Sequence, residues 1–187
     1  VKAICGLGNP GPEYARSRHN VGWWVVEAAR SGWRFPEFRR AGPARVSEGR
    51  VGTHDVVLIE PLTYMNRSGA ALVRLAGTDG FDVARDLIVV VDDAALDVGR
   101  VRFRARGSAG GHNGLRSVEA SLRTQEYARL RIGVGAPPAG ADLAEWVLAP
   151  FDALEERQVV DLLPDLVDAL RLWLDEGVAA AGSRYNR

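Results

Sequence analysis

Leu87-Ile88-Val89-Val90-Val91-Asp92-Asp93 is the stretch on which the fold turns. Leu87–Asp92 is a short, apolar, β-branched run closed by acids, and it reads as a central strand. Two other runs share its character. Lys2–Leu7 reads as a buried strand entering the turn Gly8-Asn9-Pro10-Gly11, and Asp55–Glu60 as a second central strand. Arg100–Arg106 alternates strictly, with arginines on one face and Val101, Phe103 and Ala105 on the other, which predicts a half-buried strand. Arg129–Val134 is another strand. Helical spacing recurs between these runs, at Asn20–Arg30, Asn66–Ala76, Gly114–Arg123 and Ala141–Leu148. It returns from Asp152 to about Glu176, where Pro164 should kink or split the helix. Strands alternating with helices predict an α/β sandwich with a mixed, mostly parallel sheet flanked by helices. Sites in such sheets collect at the carboxyl ends of strands, and three polar motifs here follow strands directly.

The chain has 187 residues, enough for one sizeable core, and no repeat or linker divides it, so residues 1–187 read as a single domain. No apolar run approaches the roughly 20 residues that span a bilayer. The opening VKAICGLGNP lacks the basic and apolar regions of a signal peptide. A lone Cys5 suits a reducing compartment, so a cytoplasmic location is expected. The net charge is zero, yet the charges are segregated. From Val98 to Arg131 eight arginines face only Glu119 and Glu126, whereas from Asp142 to Glu176 ten acids face only Arg157 and Arg171. A polyanion senses the local patch, because salt screens charges beyond about 10 Å. Composition leaves two readings open, a nucleic-acid face or two solvated faces of opposite sign.

Gly6-x-Gly8-x-x-Gly11 matches a dinucleotide fingerprint in letters, but Pro10 interrupts the turn and the acid expected about 20 residues on falls in a helical region. The glycines instead suggest a tight turn exposing Asn9, and no cofactor is expected. Three histidines are candidates for proton transfer near neutral pH. His54 lies in a polar turn and reads as solvated surface. His112 follows Gly110-Gly111 at a helix start, where the dipole disfavours protonation. His19 precedes a helix within Arg16-Ser17-Arg18-His19-Asn20, open between a capping residue and a general base. An orienting carboxylate can come from Asp92 or Asp93, which have no cation beside them in sequence. No Gly-x-Ser-x-Gly nucleophile motif occurs, and the scattered histidines lack metal-ligand spacing, so no metal is expected. What remains is water activated by histidine with aspartate behind it. Asn9, Asn66 and Asn113 each read alone as a cap or turn, although converging amides could hold a peptide backbone or an oxyanion.

The blocks Gly6-Leu7-Gly8-Asn9-Pro10-Gly11, Tyr14 and Arg18-His19-Asn20 together resemble the opening of bacterial peptidyl-tRNA hydrolases. Met65-Asn66-x-Ser68-Gly69, Asp92-Asp93, Gly110-Gly111-His112-Asn113-Gly114-Leu115 and Arg129-Leu130-Arg131-Ile132-Gly133 resemble its later blocks, in order and over nearly the whole chain. The resemblance implies hydrolysis of the ester between a peptide and the 3′-terminal ribose of tRNA, by a monomer without metal or cofactor and without a membrane or DNA partner. It casts His19 as the base and Asp92 as its orienting carboxylate, with Asn9 and Asn113 positioning the peptide and the reacting carbonyl or water. Met65, Asn66 and Tyr14 would line the site, and Arg104 and Arg131 would face tRNA. Two rivals stay open, a non-enzymatic relative that binds structured RNA and an unrelated small-ester hydrolase. Two departures stand out. The acidic block reads Asp92-Asp93-Ala94-Ala95-Leu96-Asp97, with its third acid displaced, and Gly135–Gly140 has no match for a lysine that the family often places near the tRNA 5′ phosphate.

Overall fold

The apolar run that ends in two acids lies inside one seven-stranded sheet of the computed structural model, which describes residues 1–187. Strand β1 (Lys2–Gly6) pairs in parallel with β4 (His54–Pro61) on one side and β5 (Leu87–Asp93) on the other. β5 pairs in parallel with β7 (Ala128–Gly133). Antiparallel strands finish both edges, with β3 (Ala44–Val51) and β2 (Arg39–Ala41) beyond β4, and β6 (Val101–Arg104) beyond β7. The order is β2-β3-β4-β1-β5-β7-β6.

Side chains alternate across β5, so one strand serves two cores. Ile88 and Val90 pack with α1 (Val21–Gly32), α6 (Ala153–Glu176) and α7 (Val178–Tyr185). Leu87, Val89 and Val91 pack on the other face with a 3-10 segment (Met65–Ala71) and α4 (Asn113–Leu122). Each such fully buried chain contributes roughly 1.5–3 kcal/mol. Short helices α2 (Val73–Ala76), α3 (Val83–Asp86) and α5 (Leu143–Leu148) complete the single α/β domain. No helix is long and apolar enough to cross a membrane.

The secondary structure departs from expectation in several places. The β2 and β3 strands are unforeseen, because Arg45, Ser47, Glu48 and Arg50 mask the period of β3. Gly52, at φ 61°, turns β3 into β4 through a two-residue loop, so His54 starts a strand and binds Asp175 at 2.9 Å instead of lying free. The single helix expected over Asn66–Ala76 is a 3-10 segment followed by one α-turn, with Gly69 pressed against the Ser117 carbonyl. Pro164 lies inside α6 without splitting it. The carbonyl left without its donor belongs to Val160, an exposed position where water can replace the bond.

Candidate active site

The centre is a buried carboxylate shared by two imidazoles. Asp92 ends the apolar strand with its side chain 2% exposed. His19, on a 3-10 turn (Arg18–Asn20), places Nδ1 2.9 and 2.8 Å from the two Asp92 oxygens. His112 places Nε2 2.7 Å from Asp92 Oδ1. Local structure sets the proton positions. His112 is the N-cap of α4, and its Nδ1 accepts the backbone N–H groups of Gly114 (3.1 Å) and Leu115 (3.2 Å). Nδ1 therefore carries a lone pair, and the ring proton sits on Nε2, donating to Asp92. Asp92 also accepts from His19 Nδ1–H, which leaves the His19 Nε2 lone pair free. Burial alone would push the Asp92 carboxyl upward, but the adjoining His112 and His19 outweigh it and hold it down at about 2. Asp92 is thus ionised across the neutral range.

These three groups are also the set whose composition could ligate a metal, with ligand atoms within 4.8 Å of one another. As placed, each nitrogen is engaged in a direct N–H···O contact with the carboxylate, so the geometry is that of a hydrogen-bonded triad.

Asn9 follows β1 and is 5% exposed, so the turn does not present it to solvent as the glycines suggested. Buried Asn20 brackets its backbone, accepting from Asn9 N–H at 2.9 Å and donating Nδ2–H to Asn9 O at 3.0 Å. Asn9 Oδ1 accepts the Met65 N–H at 2.7 Å, which leaves the Asn9 Nδ2 donors without a hydrogen bond inside the protein. The turn before it needs glycine, since a Cβ at Gly8 would lie 2.9 Å from the Trp23 indole. Met65 is buried, and Asn66 and Asn113 directly follow Met65 and His112 as exposed amides. Tyr14 meets the exposed Tyr64 edge to face, with ring centroids 6.4 Å apart. The acidic loop after Asp92 closes on itself through Ala95 N to Asp93 Oδ1 (2.9 Å) and leaves Asp92 in place.

The arginines divide into two groups. Arg104 is exposed on edge strand β6. Arg131 lies across from Arg102 on β7, donates to Ser108 O at 3.1 Å, and has Nη1 3.7 Å from Asp93. The fold thus supplies Asp93 with the cation absent beside it in sequence. Arg129, by contrast, is fully buried, stacks 4.1 Å from the Tyr127 ring centroid, and bonds the carbonyls of Gln125 and Tyr127. Sequence reasoning missed the role of His112. Its one legible signal is the Gly-Gly-His-Asn-Gly helix start, where an N-capping imidazole must aim Nε2 away from the helix.

Comparison with known proteins identifies the family of the chain. A family model described as peptidyl-tRNA hydrolase matches residues 3–187. The peptidyl-tRNA hydrolase of Gemmatimonas aurantiaca is 44% identical, with all of both chains covered. That of Chloroflexus aurantiacus is 46% identical over 98% of this chain and 97% of its own. A crystal structure of a peptidyl-tRNA hydrolase complexed with N-propanol superposes with a TM-score of 0.90 at 29% identity, covering 100% of this chain and 96% of that one. The enzyme from Acinetobacter baumannii gives 0.86 at 28% identity with the same coverage. The chain belongs to the peptidyl-tRNA hydrolase family and is a hydrolase acting on an ester bond.

Proposed function

We propose that His19 is the general base of this hydrolysis, and the observation that carries the reading is its free Nε2 behind an Nδ1–H held by Asp92. Nε2 takes a proton from water as the oxygen attacks the carbonyl carbon joining the peptide to the 3′-terminal ribose of tRNA. The tetrahedral oxyanion is met by neutral amide donors, Asn9 Nδ2 first and Asn113 with it. Collapse breaks the bond to the ribose oxygen, which recovers the proton from the imidazolium. Asp92 stabilises that imidazolium without itself taking the proton. The products are a free peptide carboxylate and a tRNA ready for reuse, consistent with a cytoplasmic role in rescuing stalled translation.

Asn66, Met65 and Tyr14 flank the peptide end, and Arg104 and Arg131 meet tRNA phosphate beyond β7. Arg131 is pre-positioned by Ser108 and Asp93, which limits its reach, so exposed Arg104 carries more of the contact. The chain works as a monomer comprising one catalytic domain, without metal or cofactor. Each lost phosphate contact flattens the dependence of log affinity on log salt by somewhat less than one unit. Replacing both arginines by alanine therefore raises KM and weakens salt sensitivity with kcat nearly unchanged, and an unaltered slope would move the tRNA elsewhere.

The test of the base is His19→Ala. A folded variant that still binds tRNA should lose about 100-fold or more in kcat, and retention of about a tenth of the rate would remove His19 from the role. The amides carry a second test. A backbone amide gives Asn9 and Asn113 a partner, whereas a free α-amino group brings charge and no acceptor carbonyl. N-acetyl-aminoacyl-tRNA should therefore be cleaved far faster than the same tRNA with a free amino group.

A further inference from the structure

Arg18 is an arginine sealed from water beside the proposed base, and the mechanism above does not use it. Its side chain is 5% exposed, its Nε has no partner, and the nearest carboxylate, Glu155, is 3.9 Å away. Burial pushes its guanidinium below the ordinary arginine range. A cation held this way costs stability, and a packed apolar residue would fill the space at less cost.

What Arg18 does hold is α5. The guanidinium carbon lies 3.3 Å from the centroid of the Trp146 ring, and Nη1 donates to the carbonyls of Trp146 (3.0 Å) and Ala149 (3.4 Å). The Arg18 backbone N–H donates to Ala149 O at 3.1 Å, and Ser17 bridges Pro150. On its far side Trp146 donates Nε1–H to Gly135 O at 2.8 Å. No residue of α5 is buried, so the helix has no core of its own to hold it in place. The residue gripping this strap is followed immediately by His19, on the same 3-10 turn.

We propose that Arg18 is a positioning residue for the hydrolysis. Clamped beneath Trp146, it joins the strap Ala141–Pro150 to the turn carrying His19, so that Nε2 is aligned with the ester only while the strap is seated. The inference rests on His19 as the base. A planar fork over an aromatic face is what the contact requires, and lysine cannot reproduce it.

The experiment compares Arg18→Gln, Arg18→Lys, Trp146→Ala, Trp146→Phe and the Arg18→Gln/Trp146→Ala pair with His19→Ala, on N-acetyl-aminoacyl-tRNA. Misplacement of a catalytic group by about 1 Å can cost about 100-fold, so a partial displacement should lower kcat by about 10-fold. Arg18→Gln and Trp146→Ala should each show that loss, with KM and affinity for deacylated tRNA changed less than about threefold. The double variant should be no worse than the worse single one, because the two act as one unit. Trp146→Phe should keep most activity, and Arg18→Lys should behave like Arg18→Gln. Trp146 lies on a strap without buried residues, so its variants report even if Arg18→Gln fails to fold. Wild-type kcat in folded Arg18→Gln, or losses that multiply in the double variant, overturn the clasp while an inactive His19→Ala leaves the base standing. An active His19→Ala overturns both.

Discussion

Asp92 ends β5 and Glu60 stands near the end of β4, with β1 between them, and both carboxylates are sealed from water. Burial pushes both upward, yet Asp92 falls to about 2 while Glu60 rises to about 8. The difference lies in the donors. Asp92 receives ring N–H groups from two histidines, one held by its cap of α4 and the other by its turn. Glu60 has one cationic partner, Arg45 Nη2 at 3.2 Å, and that same nitrogen is divided with Glu27 at 3.1 Å, whose carboxyl also hydrogen-bonds Glu60. Glu60 Oε1 has none. Two acids sharing one guanidinium favour a retained proton, and the Glu27 charge adds to the desolvation. Depth in the fold is therefore a poor guide to charge, and the number and independence of the donors decides it. One site keeps an anion between two imidazoles, and the other stores a neutral acid between α1 and the sheet.

The strongest test of this contrast is Asp92→Asn. It puts an NH2 where an oxygen now accepts, so one imidazole must turn or change tautomer, and the His19 lone pair is no longer confined to Nε2. The kcat should fall about 10- to 100-fold, less than in His19→Ala, with tRNA affinity retained. A loss equal to that of His19→Ala in single-turnover rates would mean that Asp92 does more than orient.

His112 separates capping from support of Asp92. His112→Ala removes both, and it should lower kcat about tenfold and stability by about 1 kcal/mol. His112→Asn restores a good N-cap but removes the imidazole donor. Urea midpoints should therefore recover in His112→Asn while kcat stays low. Recovery of both would show that the second donor is dispensable and break the comparison.

The smallest effect belongs to Glu60→Gln. Because the folded-state value is raised, the neutral carboxyl is the form that folding favours. Its contribution is complete below the ordinary carboxylate range and is lost as pH rises toward about 8. The stability of the glutamine variant relative to wild type should climb between pH ~5 and ~8, at no more than about 1.4 kcal/mol per pH unit. Its kcat should change little. Parallel urea midpoints for the two proteins across that range would assign Glu60 an ordinary ionised pair with Arg45.

Much of the fold is legible in the sequence. Apolar runs at Lys2–Leu7, Asp55–Glu60 and Leu87–Asp92 mark central strands because both faces of each are buried, and each lies within one or two residues of the observed bounds. Position alone leaves His19 open between a cap and a base and Asn9 open as a turn, and it is the resemblance of the ordered motif blocks that assigns them, with Asp92, to one site. The strand β3 escaped, since an edge-side strand with one solvated face needs no apolar run. The depth of Asn9 escaped as well, because its burial comes from Asn20 and Met65 on other segments.

The sequence by itself determined the central strands and the longer helices, the ordered motif blocks, and the residue types available for proton transfer, because these depend on local periodicity and chemistry. Only the tertiary structure decided which groups share Asp92, since His19 and His112 reach it across 73 and 20 residues of chain. It also decided that Arg131 meets Asp93 whereas Arg129 is sealed within the fold, and that Glu60 is left with half a partner. Electrostatic character depends on distance and solvent access in three dimensions, and neither is a property of neighbours along the chain.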